Sequence, residues 1–328
     1  MKYDDVCQAL MVKPQNWCVT GAAGFIGSHI VAKLLSLNQR VNALDNFATG
    51  SRANLSAVKA CVSEEQWARF NFIEGDIRNS SDCEKALLNC EFLSHQAALG
   101  SVPRSIADPV LSASVNVVGF VQILTAAKKM GLARVVYASS SSVYGDSAEL
   151  PKVEARIGNQ LSPYALTKAI NEQFALVFQA CYGTQSIGLR YFNVFGPRQD
   201  PNGPYAAVLP RWSTAIKSGL PAIIYGDGET SRDFCFVDNA VQANILAATS
   251  GNLECVGTAF NIACGAQHSL NATFKILAEI LQKPLVKPVY EAVRAGDVRH
   301  SLADITKARQ LLGYEPTVGL AEGLQYFR

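Results

Sequence analysis

The run Asn16-Trp17-Cys18-Val19-Thr20, followed at once by Gly21-Ala22-Ala23-Gly24-Phe25-Ile26-Gly27, constrains this chain more than any other segment. A short apolar stretch that reads as a buried strand leads into three spaced glycines, and a helical pattern from Phe25 to Leu37 follows. The spacing has a chemical reason. The first glycine permits a tight turn, the second lets backbone approach a pyrophosphate, and the third lets the helix pack on the strand. The helix N-terminus adds positive potential where phosphates would sit. A glycine triplet alone is a weak signal, but here both flanking elements are present.

The same alternation continues. Arg40–Leu44 reads as the next strand, and more are expected at Phe70–Ile73, Glu91–His95, Arg134–Ser139 and Gln185–Leu189. Helical patterns over Val110–Lys129 and Pro163–Cys181 lie between them, and an amphipathic segment up to about Pro14 precedes them all. Strands alternating with helices predict an α/β fold, a Rossmann-type doubly wound parallel sheet, with a smaller C-terminal α/β lobe for substrate. After Arg190 the turn formers of Gly196–Pro204 mark a boundary or lid. Short strands (Ala222–Tyr225, Thr258–Ile262) and helices (Asp238–Thr249, Ser269–Leu281, Asp304–Leu312) follow. The division expected is a nucleotide domain over 1–190, to which 233–255 returns, and a substrate lobe over 191–328.

Composition narrows the function. Of 328 residues, 49% are hydrophobic and 17% charged, which suits a globular enzyme. A net charge of +2 gives no general attraction to nucleic acid or to an anionic membrane. Strong anion binding must come from a few placed groups. Nine scattered cysteines without metal or redox spacing read as reduced thiols, mostly buried, in a cytoplasmic protein. Asp4 and Asp5 argue against a signal peptide, and no uninterrupted apolar stretch is long enough to span a bilayer. His29, His95, His268 and His300 show no metal spacing, so no metal is expected; His300 could face a substrate.

Asp45 ends the second strand, where a carboxylate can accept hydrogen bonds from both ribose hydroxyls and repel a 2′-phosphate. NAD is therefore expected rather than NADP, since Arg52 lies too far along the loop to outweigh Asp45. Asp76, in Gly75-Asp76-Ile77-Arg78, could reach the adenine edge.

Tyr164-Ala165-Leu166-Thr167-Lys168 puts a phenol and an ammonium on one helical face. A tyrosine can act as a base near neutrality only if its anion is stabilised, and a lysine beside a positive nicotinamide ring would do that. Taken alone, such a pair is usually a surface feature. The run Ser139-Ser140-Ser141-Ser142 at a strand's carboxyl end, where open α/β sheets bind ligands, raises its meaning, because these hydroxyls should face the cleft.

Together these motifs resemble an extended short-chain dehydrogenase/reductase of the UDP-hexose 4-epimerase family, most closely its branch acting on UDP-N-acetylglucosamine. The likeness runs from about Trp17 to Gly313 and includes Gln96–Pro103, Arg190–Gly196, Ser231–Phe234 and Arg294–Arg299. The resemblance implies Tyr164 as catalytic base, Lys168 as its partner and nicotinamide-ribose ligand, and Ser140 as the catalytic hydroxyl. Further NAD contacts are implied at Phe25, Ile26, Asn46, Thr49 and Gly50. Others are implied at Ile77, Gln96, Ala97, Ala98 and Tyr191. For the UDP-sugar it implies Asn193, Arg232 and Arg294 on the diphosphate, and Asp297 on the uridine ribose. Gly100, Ser101, Ser141, Ser142, Ala207, Val208 and Tyr225 would complete that side. Ser301, four residues after Asp297, stands where a bulky residue would exclude an N-acetyl group. Relatives that dehydrate or decarboxylate carry carboxylates just after the catalytic hydroxyl, whereas Ser141 and Ser142 occupy those positions here. The expectation is an NAD-retaining 4-epimerase of UDP-N-acetylglucosamine and UDP-N-acetylgalactosamine, acting as a homodimer. Alternatives are the corresponding uronic acids or UDP-glucose and UDP-galactose.

Overall fold

The computed structural model describes residues 2–202, 206–293 and 298–328. Seven parallel strands form its main sheet: β1 (Asn16–Thr20), β2 (Arg40–Asp45), β3 (Phe70–Glu74), β4 (Phe92–His95), β5 (Arg134–Ser140), β6 (Ser186–Tyr191) and β7 (Thr258–Ile262). Their order is β7-β6-β5-β4-β1-β2-β3. From β1 the chain steps outward to β2 and β3, then returns to the other side of β1 at β4. That reversal opens a crevice beyond the carboxyl ends of β1 and β4, where Gly21 and Gln96 emerge.

Burial on both faces explains why the central strands are largely apolar. Trp17, Val19, Val136, Ile187 and Leu189 join one core with α2 (Phe25–Ser36) and α5 (Val237–Thr249). Cys18, Leu93, Val135 and Tyr137 join another with α3 (Gly119–Met130) and α4 (Pro163–Tyr182). The N-terminal α1 (Tyr3–Val12) lies against α5. In α4, Ser162 caps the first turn by accepting from Ala165 N at 3.1 Å, Pro163 opens the helix, and Gly183 closes it in the left-handed region.

Two sequence expectations need correction. The return to the nucleotide domain does not stop at residue 255: β7 pairs with β6 as the sheet's edge strand, and Ala308, Leu312 and Tyr314 pack into the same core. Residues 109–130 also form one helical run of 22 residues that is long and apolar enough to cross a membrane. One face of it packs into the core of this chain, while Val110, Leu111 and Val118 stay exposed. A π-turn at Ser114–Val118 turns Asn116 inward, where it bonds both backbone groups of Leu99 and the Thr167 hydroxyl, while Phe120, Ile123 and Leu124 fill the core.

The smaller lobe gathers Leu209, Trp212, Ile216, Phe234, Phe274 and Leu277 around short strand pairs. At the crevice, Gly21 adopts φ +67°, and a Cβ there would lie 2.7 Å from Ala97 N. A Cβ on Gly27 would collide with the Gly21 carbonyl. Gly27→Ala should therefore destabilise the fold by roughly 1–3 kcal/mol. The check is thermal melting with and without NAD, the stabilisation by NAD also being reduced.

Candidate active site

Three cavities run along the crevice. The first, about 310 Å³, is lined by Asp45, Asn46, Thr49, Asp76, Ile77, Ala97 and Ala98. The second, about 410 Å³, shares Gly21, Asp45, Thr49, Ala97 and Ala98 with it and adds Gly24, Phe25, Ile26, Gly27, Gln96 and Gly100. Ser140, Tyr164, Lys168, Tyr191 and Asn193 line its far side. Asn193 also borders the third, about 500 Å³, with Val208, Tyr225 and Arg232, joined by Arg211, Trp212 and Arg299. Their order matches a long ligand pair: an adenine end, a reacting centre, and a cationic end for a second nucleotide.

At the adenine end, Asp45 is buried and accepts from Ala23 N at 2.9 Å and Phe47 N at 2.7 Å. A carboxylate offers about four acceptor sites, so capacity is left for two ribose hydroxyls. Burial raises its pKa, and the backbone donors oppose that. Arg52 is drawn off to Glu74 at 2.8 Å and over the Phe47 ring. Asp76 is held by Arg78 and Asn46, which bring its carboxyl down to about 2. Gly50 lines neither cavity; it lets the chain pass close to Ala23.

At the centre, α4 is laid across the end of β5. Lys168 Nζ donates to Ala138 O at 2.8 Å, and Tyr164 and Ser140 line the central cavity together, with Ser140 near enough to pull the phenol's pKa down. Ser105 accepts from Tyr164 N at 3.0 Å and fixes the start of the helix. Burial lowers Lys168 to about 8, opposed by the Glu172 carboxylate. Burial raises Tyr164, and only Ser140 opposes it. By sequence, the lowering of the phenol falls to Lys168 together with the positive nicotinamide ring; Lys168 Nζ stands 5.9 Å from the centroid of the Tyr164 ring, and NAD, when bound, would bring the second charge.

The serine run does not face the cleft as a unit. Ser139 and Ser140 both line it, but the Ser139 hydroxyl donates to Glu172 at 2.5 Å, and the buried Ser142 hydroxyl has no partner within the protein. Alternation separates Ser139 from Ser140 on β5, while Ser141 and Ser142 belong to a short 3-10 turn and line none of the three cavities. Ser101 caps a short helix by accepting from Arg104 N, and Ala207 precedes the helix that carries Val208. Ser301 lines none of the three cavities; its N–H donates to Ser231 O at 3.1 Å. His300 does not turn to the centre either: Nδ1 is 2.7 Å from the Ser231 hydroxyl. Arg294 and Asp297 lie outside the described residues.

Several contributors carry no sequence signal. Asn244 donates to the Tyr191 hydroxyl at 2.7 Å, and that hydroxyl donates to Gln96 Oε1 at 3.0 Å, so the Tyr191 ring is pinned beside the centre. Asn244 is an ordinary polar position of a helix when read alone. Gln199 lines the central cavity with a buried Oε1 that has no protein partner, and its turn-forming neighbours hid it. Among the described residues no three His, Cys, Asp or Glu gather as metal ligands.

Residues 17–263 match the family described as the NAD dependent epimerase/dehydratase family. The UDP-glucose 4-epimerase of Mycolicibacterium smegmatis is 38% identical over 94% of this chain and 97% of its own length. A solved UDP-N-acetylglucosamine 4-epimerase from Methanobrevibacter ruminantium, in complex with UDP-N-acetylmuramic acid, is 36% identical. It superposes with a TM-score of 0.87, covering 96% of this chain and 98% of that one. The UDP-glucose 4-epimerase of Thermus thermophilus, solved with NAD, is 34% identical with a TM-score of 0.83 over 95% and 99% of the two chains. NAD is the cofactor, and Gly21, Asp45 and Lys168 stand where its phosphates, ribose and nicotinamide end would fit. Asp45→Ala should weaken NAD binding by about tenfold or more and narrow the preference over NADP, as measured by calorimetric titration of each. The chain belongs to the NAD dependent epimerase/dehydratase family, and within it to the UDP-sugar 4-epimerases.

Proposed function

We propose that this epimerase interconverts UDP-N-acetylglucosamine and UDP-N-acetylgalactosamine, with Tyr164, Ser140 and Lys168 at its reacting centre. The observation that carries the acetylated preference is space. At Gly100 an added Cβ would meet nothing within 4 Å, so the sugar end of the cleft has room for an acetamido group. Among the described residues lining the central cavity, Lys168 is the one cation, so a uronate carboxylate would find no dedicated partner. That favours the neutral sugar.

Tyr164 takes the proton of the substrate's C4 hydroxyl while Ser140 holds that oxygen. NAD, when bound, supplies a hydride acceptor that can give the same hydride back. Lys168, charged below about pH 8, steadies the phenolate, so turnover falls as the ammonium is lost above that value. Arg232 and Asn193 hold the diphosphate, about which the 4-keto sugar turns to present its other face. Tyr164 then returns the proton and the alcohol is inverted.

The homodimer remains part of this proposal. Its support is the exposed Val110 and Val118 beside Leu166 and Val177 on two neighbouring helices. A cytoplasmic location is likewise proposed, and nine free thiols suit it.

Tyr164→Phe should cost on the order of 10²–10⁴ in kcat and leave UDP-sugar binding intact; near-normal turnover would discard the assignment. A panel of four UDP-sugars (acetylated, plain and uronic) should show fastest equilibration of the acetylated pair. Ser301 lines none of the three cavities, so Ser301→Tyr should leave the order of rates across the panel unchanged, with Gly100 as the determinant. Selective slowing of the acetylated pair would instead restore the gate that the resemblance implies.

A further inference from the structure

Tyr164, Lys168 and Glu172 stand four residues apart along one stripe of α4. Consecutive residues of β5 meet that stripe: Ser140 the phenol, Ala138 O the ammonium, and Ser139 the carboxylate. Glu172 is buried and doubly held by Arg190 of β6, whose Nε donates to Oε1 at 2.9 Å and whose Nη2 donates to Oε2 at 2.8 Å. Arg190 also donates from Nη1 to the Tyr144 hydroxyl at 3.0 Å and to Glu154 O at 2.9 Å. Tyr144 in turn donates to Asn261 on β7 at 2.6 Å. The foot of the reacting helix is thus tied to three strands by one hydrogen-bonded chain.

We propose that Glu172 is a positioning residue for the reaction: clamped by Arg190 and Ser139, its carboxylate is the anion against which Lys168 is seated, and through Lys168 it governs how readily Tyr164 yields its proton. The inference rests on the reading of Tyr164 and Lys168 given above. The surroundings support it. Among the described residues, the Glu172 carboxylate is the charge that opposes the burial of Lys168. His95 of β4 also faces Lys168, but burial and that ammonium hold it near 3, so it stays neutral and does not compete. Glu172 is faced by Tyr137 of β5, kept protonated by burial, by Arg190 of β6, and at longer range by Lys307 of the Thr306–Leu312 helix. Glu172 touches no cavity described here, so it acts through its neighbour.

The test compares pH profiles of kcat, with KM for the UDP-sugar, in NAD-loaded enzyme. Glu172→Gln removes the anion and leaves Arg190 buried without its partner. Glu172→Gln with Arg190→Gln removes both charges and so cures that structural fault. In both, kcat at neutral pH should fall about tenfold, with KM within about twofold of the parent. The alkaline limb should move down by about one pH unit as Lys168 loses its proton earlier, while the acid limb, where Lys168 is charged in parent and variant alike, should stay in place. Ser139→Ala keeps both charges paired and should give the same shift in smaller measure; it decides alone if the Glu172 variants do not fold. An unshifted alkaline limb in Ser139→Ala and in whichever Glu172 variants fold would overturn the proposal, even with a lowered melting temperature. Full activity in Tyr164→Phe would instead overturn the underlying assignment.

Discussion

The bond from Lys168 Nζ to Ala138 O sets the distance between the reacting helix and the strand that carries Ser140. Everything at the centre follows from that spacing. It brings the phenol towards the serine hydroxyl, and it takes an ammonium out of water to a place where burial lowers its pKa to about 8. A helix on the surface could hold the same two side chains, yet their charges would be screened and their geometry loose. Here burial makes each electrostatic contact stronger, and each buried charge costly unless matched.

The matching is done locally. The chain's net charge is only +2, so phosphate affinity depends on placed groups such as Arg232 and on the open helix N-terminus behind Gly24. Glycines make that N-terminus reachable, because side chains at Gly21 or Gly27 would strike neighbouring backbone. The same economy appears in the Gln96–Tyr191–Asn244 network, where polar groups satisfy one another and hold the Tyr191 ring beside the centre. Fold and site share residues: β6 supplies Tyr191 to the cleft and Arg190 to the body in adjacent positions, since strand side chains alternate.

Much of this was legible in the sequence, for physical reasons. Strands buried on both faces read as apolar runs, and all six strands expected for the nucleotide sheet form within a few residues of their expected bounds. The glycine turn, Asp45, and the Tyr164–Lys168 pair were readable because their chemistry requires fixed spacing. What escaped depends on three dimensions. The joining of β7 to the sheet is a long-range pairing with no local mark. The turn of the Ser139 hydroxyl towards Glu172 follows from strand alternation, which four identical residues conceal. The phenol's upward shift could not be read at all, because it depends on how deeply Tyr164 is covered. Ser301 shows the opposite failing: a position meaningful in a family pattern lines no cavity here.

The central claim is that the hydrogen at C4 leaves and returns on a captive carrier, beside one phenol that handles only the proton. Equilibrating a UDP-N-acetylhexose deuterated at C4, without added NAD, and reading the products by mass spectrometry tests it most directly. Full retention of deuterium at C4 in both epimers is the result expected. Loss of the label to water would mean that C4 is inverted by proton abstraction, and would contradict the account.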